Sequence, residues 1–240
     1  MKKEWHVTIH QPDFMPWIGF FDKISKVDQF IILDHVTNTT KATAFWGRRV
    51  KMMVNKMDAW ISIPLEKSID GPFQPINEMK IKRDDRKNLE NTFKTIQLSY
   101  KKAPFHSEVI YLIEDYFNNW SDLVSVRNID FITEVNKRLS ISPNIILSSD
   151  LLAVEKGTDL LIELLLKTGA THYRCGMGAK AYQDDDKIRA AGIEVIYNNY
   201  KPKPYFQFNS KIFVPGLSII DVLMNHGFEK TTELLQSNLI

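Results

Sequence analysis

The sequence predicts an α/β fold, a mostly parallel sheet with a helical insertion in the middle of the chain, and three observations predict it. Two apolar runs of strand type, residues 5–9 and 29–34, flank a short helical stretch. A strand, a glycine turn, a helix and another strand follow one another over residues 172–197. Between these two patterns, residues 84–140 change to the helical period, with apolar side chains every three or four positions.

Residues 5–9, Trp-His-Val-Thr-Ile, alternate as a strand does. The turn His10-Gln11-Pro12-Asp13-Phe14-Met15-Pro16-Trp17 follows, and its prolines delay the helix because each ring restricts itself and the residue before it. A helix through residues 19–26 leads to Gln-Phe-Ile-Ile-Leu-Asp, a continuous apolar run of the kind parallel strands show when both faces are covered. A right-handed βαβ unit built from these parts puts His10 and Asp34 on one sheet edge, where open α/β sheets bind ligands. The helix is short for a crossover, so an alternative local pairing stays open.

Residues 37–56 show no clean period and carry Lys41, Arg48, Arg49 and Lys51 around Phe45 and Trp46. A basic loop beside a cleft suits a phosphate-bearing ligand, since a guanidinium grips phosphate through two parallel hydrogen bonds; a solvated surface loop fits equally well. Residues 60–65 read as a strand capped by Pro64, and 71–75 as a Gly/Pro loop. Three amphipathic helices come next. The first opens at Asp84 and Asp85, the second starts at Pro104, and the third carries Leu123, Val126, Ile129, Ile132, Val135 and Leu139. They form a cap on the sheet, and core packing accounts for their aromatic residues.

Residues 144–147 read as a strand, 158–167 as an amphipathic helix that Gly169 stops, and 172–174 as another strand. The turn Cys175-Gly176-Met177-Gly178-Ala179-Lys180-Ala181-Tyr182 comes immediately after. Gly176 and Gly178 let backbone N–H groups approach a ligand, and Lys180 adds charge at the helix start. The spacing matches neither the dinucleotide fingerprint nor the P-loop, and a plain strand-to-helix turn is the simpler reading. Asp184, Asp185 and Asp186 point in different directions on a helix and form a solvated face. Residues 200–207 are extended and proline-stiffened; 217–227 make a short apolar helix closed by Gly227. Asp221 inside that helix is either a buried hydrogen-bond acceptor or the orienter of a catalytic group. The whole, residues 1–240, reads as a single Rossmann-like domain with 84–140 as its insertion or cap.

The chain of 240 residues is 44% hydrophobic and 25% charged, and its net charge of +2 predicts neither nucleic-acid nor membrane-surface binding by bulk electrostatics. Cys175 is the only cysteine, so no disulfide closes within the chain and no cysteine-based zinc site forms. No run approaches the roughly 18 apolar residues that span a bilayer, and a cytoplasmic setting is expected. His and Asp residues lack metal-ligand spacing, so no metal site is expected, and no cofactor is indicated.

The blocks His10-Gln11-Pro12 with Pro16-Trp17-Ile18-Gly19-Phe20-Phe21-Asp22-Lys23, Asp28, Leu33-Asp34, Trp60 to Pro64, Gly176 to Tyr182, Tyr205-Phe206-Gln207 and Leu217-Ser218-Ile219-Ile220-Asp221 together resemble the WbqC-like family over nearly the whole chain. The resemblance implies a place in bacterial O-antigen or other surface-polysaccharide biosynthesis, beside enzymes of modified nucleotide sugars. Two departures stand out: His35-Val36-Thr37 where Gln follows the second-strand Asp, and Cys175 where Ser or a small residue precedes the glycine turn. The second argues against a nucleophilic Cys175.

The expected activity is transfer of an acyl or aminoacyl group to a nucleotide-linked amino sugar. His10 acts as general base, Asp34 orients it, Asp221 is the further catalytic carboxylate, and Gln11 holds the acceptor. Gly176, Gly178 and Lys180 bind phosphate or the oxyanion, and Trp17, Arg48, Tyr182 and Gln207 complete the substrate contacts. Two alternatives are nucleotidyl transfer and a non-catalytic module that holds a nucleotide sugar or a partner enzyme.

Overall fold

The computed structural model describes residues 3–39, 45–68, 71–82 and 85–236. Strand β1 (His6–His10) leads through α1 (Ile18–Ile24) to β2 (Gln29–Ile32). A long excursion then carries β3 (Thr37–Thr39), the hairpin of β4 (Arg49–Val54) and β5 (Met57–Ser62), and β6 (Phe73–Pro75), which pairs with β3. Helices α2 (Arg86–Tyr100), α3 (His106–Asn118) and α4 (Val124–Arg138) complete it. The chain returns with β7 (Asn144–Leu147), α5 (Gly157–Lys167), β8 (His172–Gly176), α6 (Asp185–Ala190), β9 (Glu194–Asn198) and α7 (Ile219–Gln236).

The main sheet has the order β7-β2-β1-β8-β9, with every neighbouring pair parallel. The chain grows outward from β1 to β2 and β7, then crosses back to place β8 and β9 on the other side of β1. That reversal opens a crevice between the C-terminal ends of β1 and β8, the switch point at which doubly wound sheets bind ligands. The short α1 suffices as a crossover, and the alternative local pairing falls away, because β1 and β2 pair in parallel from Val7↔Gln29 to His10↔Ile32.

Alternation along each strand feeds two cores. Val7, Ile9, Ile31, Tyr173, Cys175 and Val195 pack with Leu160, Leu161, Leu164 and Leu165 of α5 and Ile188 of α6. On the opposite face, Phe30 and Ile32 join Phe20, Phe21 and Ile24 of α1, Ile132 and Val135 of α4, and Ile220, Leu223 and Met224 of α7. Coverage on both faces is why β2 reads as unbroken apolar residues.

Two sequence expectations need correction. The insertion is wider than residues 84–140, since the excursion between β2 and β7 also holds two small antiparallel pairs. Residues 49–54 are a strand of the β4–β5 hairpin, although they lie in a segment without visible period. The helix that opens at Ile219 closes at Gly227 as the sequence predicts, where φ 69° and ψ −177° are non-helical, and a second helix runs on to Gln236. Glycine is required there: a Cβ would lie 2.7 Å from the Phe105 ring. Lys41 and Asp84 lie outside the described residues. Among the described residues, no helix is long and apolar enough to cross a membrane.

Candidate functional site

A cavity of about 530 Å³ occupies the switch point, within the size range of small-molecule sites. His10 comes to it from the end of β1, Asp13 from the turn that follows, Trp17 from the residue before α1, and Gly19, Phe20 and Lys23 from α1. Trp46 and Arg49 enter from the excursion, and Gly176, Met177, Gly178, Asn198 and Tyr200 from the β8 and β9 ends.

His10 is the last residue of β1. Its Nδ1 lies 3.0 Å from the Gln11 carbonyl, which can only accept, so Nδ1 carries the proton and Nε2 keeps its lone pair. Burial, reinforced by the charge of Lys23, lowers the imidazole pKa from 6.5 to about 3 despite the Gln11 bond. The ring is therefore neutral at pH 7. Asp13 Oδ2 lies 3.7 Å from His10 Nδ1, and among the described residues it accepts no hydrogen bond. Burial raises its pKa to about 7, against the pull of Lys23. Lys23, 4% exposed, sits in the last turn of α1 and makes no ion pair within 4 Å among the described residues. Burial lowers its pKa to about 8, opposed by Asp13 and Cys175. A neutral base, a carboxyl near its midpoint and a weakened ammonium thus share one poorly solvated corner, without a close ion pair to fix any of them.

The walls are aromatic. Trp17 meets Tyr200 edge to face at 5.7 Å, and its indole lies across Gly19, where a Cβ would be 2.3 Å from the ring. The Arg49 guanidinium stacks 4.0 Å from the centre of Trp60 and 5.9 Å from Trp46, and its buried Nε has no hydrogen-bond partner among the described residues. At the β9 end, Asn198 donates to Asp22 at 2.8 Å, and Lys26 pairs with Asp22 at 2.8 Å, fixing that wall to α1. A Cβ on Gly176 or Gly178 would meet no atom within 4 Å, so packing does not demand either glycine. They leave the backbone open to the cavity.

Of the residues expected from sequence, His10, Trp17, Gly176 and Gly178 line this cavity. Asp34 does not. Its Oδ1 accepts from Ser148 Oγ and Ser149 N, both at 2.9 Å, and Oδ2 accepts from Ser149 Oγ at 2.7 Å. It ties β2 to the turn after β7, on the side of β1 away from the cavity. His35 Nδ1 lies 2.6 Å from Ser148 Oγ, yet the group is no nucleophilic triad. Ser148 is fully buried, and its own proton is directed to Asp34.

Asp221 is saturated as well, accepting from Tyr100 Oη at 2.9 Å, Tyr205 Oη at 2.8 Å and Gln207 Nε2 at 2.9 Å. Gln207 also bonds Val214 through both amide atoms, so both residues brace the segment before α7 rather than meet a ligand. Gln11 Oε1 accepts from Asn38 Nδ2 at 2.9 Å and anchors β3. Of the arginine pair, Arg49 lines the cavity and Arg48 does not. Lys180 lies 4.6 Å over the Tyr197 ring beside Asp184–Asp186, and Tyr182 is 74% exposed; both stand outside the cavity. Cys175 faces the α5–α6 core, and burial raises its thiol pKa.

Sequence reasoning missed Asp13 and Lys23, and of the arginines it named in the basic loop it chose Arg48 where Arg49 lines the cavity. A usable signal existed for Lys23: α1 is buried along its whole length, and a lysine in such a helix must end in a cavity or pair.

The model of the WbqC-like protein family matches residues 11–233. Uncharacterized protein Rv1507c of Mycobacterium tuberculosis is 29% identical over 236 residues, which is 95% of this chain and 96% of that protein. No solved structure gives a significant match.

Proposed function

The chain belongs to the WbqC-like protein family, and from that premise we propose that it is a cytoplasmic transferase of bacterial surface-polysaccharide (O-antigen) biosynthesis. It passes an acyl or aminoacyl group to the amine of a nucleotide-linked sugar. One observation carries the reading: the switch-point cavity ends on His10 beside Asp13 and Lys23, where burial favours the neutral imidazole. Trp17 and Tyr200 suit the faces of a base or sugar, while Arg49 and the backbone at Gly176 and Gly178 suit phosphates.

In this chemistry the sugar amine attacks the acyl carbonyl, a new C–N bond forms, and the carbonyl oxygen becomes an oxyanion. The amine is acidified in the tetrahedral intermediate, so the His10 Nε2 lone pair takes its proton and delivers it to the leaving group as the old acyl bond breaks. Lys23 stabilises the oxyanion, and Asp13 in its ionised form balances the imidazolium.

The test is a mass-spectrometric turnover assay with pooled amino-sugar nucleotides and pooled acyl or aminoacyl donors. Wild type yields a new sugar mass, and His10→Ala lowers its rate by roughly 10²–10⁴-fold while retaining the nucleotide sugar on native spectra. Full turnover by a folded His10→Ala variant overturns the role of His10. A retained nucleotide sugar without turnover in wild type makes the protein a binding module.

A second reading, nucleotidyl transfer, draws on the position of His10 at the end of the first strand of a doubly wound sheet, where nucleotide-binding α/β folds set a histidine against phosphates. Asp13 stands where a paired second histidine would help. Release of pyrophosphate from a nucleoside triphosphate would favour it over acyl transfer.

A further inference from the structure

At the other end of the same two strands lies a second cluster, and we infer that Glu4, His6 and His172 bind a divalent transition metal of the zinc class. His6 and His172 are direct register partners at the starts of β1 and β8, so their side chains rise side by side from one face of the sheet. Their rings stack at 4.4 Å with 15° between planes. Glu4, two residues before His6, brings its Oε2 to 3.4 Å from His6 Nε2. One ligand atom from each of the three lies within 4.8 Å of the others.

The surroundings prepare the nitrogens. Thr171 Oγ1 accepts from the Trp5 N–H at 2.7 Å and lies 2.8 Å from His172 Nδ1, so it orients that ring. With Nδ1 donating to this oxygen, the Nε2 lone pair is turned to a metal, the arrangement by which outer hydrogen bonds orient a metal-bound imidazole. His6 Nδ1 is buried without a hydrogen-bond partner among the described residues, so the ring is held by its stacking on His172 and the contact of Nε2 with Glu4. Two imidazoles and one carboxylate form a zinc donor set that leaves a fourth position to water. Zinc ligands at about 2.0–2.1 Å stand roughly 3.3 Å apart, so small rotations of exposed Glu4 and the two rings close the set. Exposed Glu194, paired in register with His172, offers a second carboxylate.

Sequence spacing gave no hint of this site because parallel pairing brings the two histidines together from opposite parts of the chain. It stands roughly 13 Å from His10, one strand length, and is independent of the transfer chemistry.

The test uses the tag-free full chain. Zinc is titrated by calorimetry, and Co²⁺ is added as a spectroscopic probe of ligand number. One equivalent of zinc at micromolar affinity or tighter is expected. His6→Ala and His172→Ala each weaken it by at least about tenfold, and Thr171→Val by about tenfold through loss of the orienting bond. Circular dichroism checks folding, and Glu4→Gln, on an exposed residue, provides a variant that disturbs no core; it weakens zinc and alters the Co²⁺ d–d bands. No uptake, uptake that survives replacement of both histidines, or unchanged affinity in Glu4→Gln overturns the site.

Discussion

Asp221 and Asp13 are both carboxyls whose pKa burial raises, yet the protein treats them in opposite ways. Asp221 is surrounded by two phenols and an amide, all donating to it, and Asp34 is held the same way by two serines. Asp13 accepts nothing among the described residues and faces a cavity. The difference teaches which buried carboxylate can do chemistry. A saturated one is a cross-link whose lone pairs are already committed, whereas an under-partnered one at a cleft stores an energetic cost that ligand or proton can relieve.

The contrast breaks most visibly on substitution. Asp221→Ala leaves the Tyr100 and Tyr205 hydroxyls without their acceptor and Gln207 with Val214 alone, and at about 1–3 kcal/mol for each phenol this lowers unfolding free energy by at least about 2 kcal/mol. Asp13→Asn removes a carboxyl with no hydrogen bond to lose, so stability holds or rises while turnover falls by about 100-fold. Urea unfolding of both variants beside the transfer assay reads the two effects. Equal destabilisation by the two substitutions would erase the distinction.

The acid–base corner sharpens it further through pH. Asp13 has its folded pKa raised from 3.8 to about 7, so its contribution is fully present below pH 3.8 and is lost as pH rises through 7. His10 has its folded pKa lowered from 6.5 to about 3, so its contribution is fully present above pH 6.5 and is lost as pH falls towards 3. Unfolding midpoints measured from pH 3 to 8 should show opposite slopes: wild type loses ground to Asp13→Asn as pH rises, and to His10→Gln as pH falls. Parallel slopes would mean that water reaches both groups and that the corner is not desolvated.

Much of this frame was legible because its signals are local. Proline restriction between β1 and α1, period-two alternation in β1, the unbroken apolar run of β2 and the glycine turn after β8 each follow from a few adjacent residues. Site membership was less legible, because saturation is decided far away. One of the three donors on Asp221, Tyr100, is 121 positions distant, and Ser148 on Asp34 is 114 positions distant. A carboxylate at a strand end therefore looks the same in sequence whether it is free or committed. Arg48 and Arg49 could not be told apart for a related reason: which of the two faces the cavity depends on the β4–β5 hairpin, whose short strands gave no clear period.

The smallest expected effect concerns Gly19, the one helical position where a local rule yields to the cavity wall. Alanine is favoured over glycine within a helix by about 1 kcal/mol, so propensity alone would place it here. A Cβ at this position, however, would lie 2.3 and 2.4 Å from two carbons of the Trp17 ring, so Gly19→Ala must move the indole off α1 and away from Tyr200. Helix gain and lost packing roughly offset, and stability changes by less than about 1 kcal/mol. The ligand loses one aromatic wall, so KM rises several-fold with kcat little changed, the pattern of lost uniform binding. An unchanged KM would move recognition from Trp17 to Arg49 and the glycine turn, whose backbone faces the cavity whether or not the indole is there.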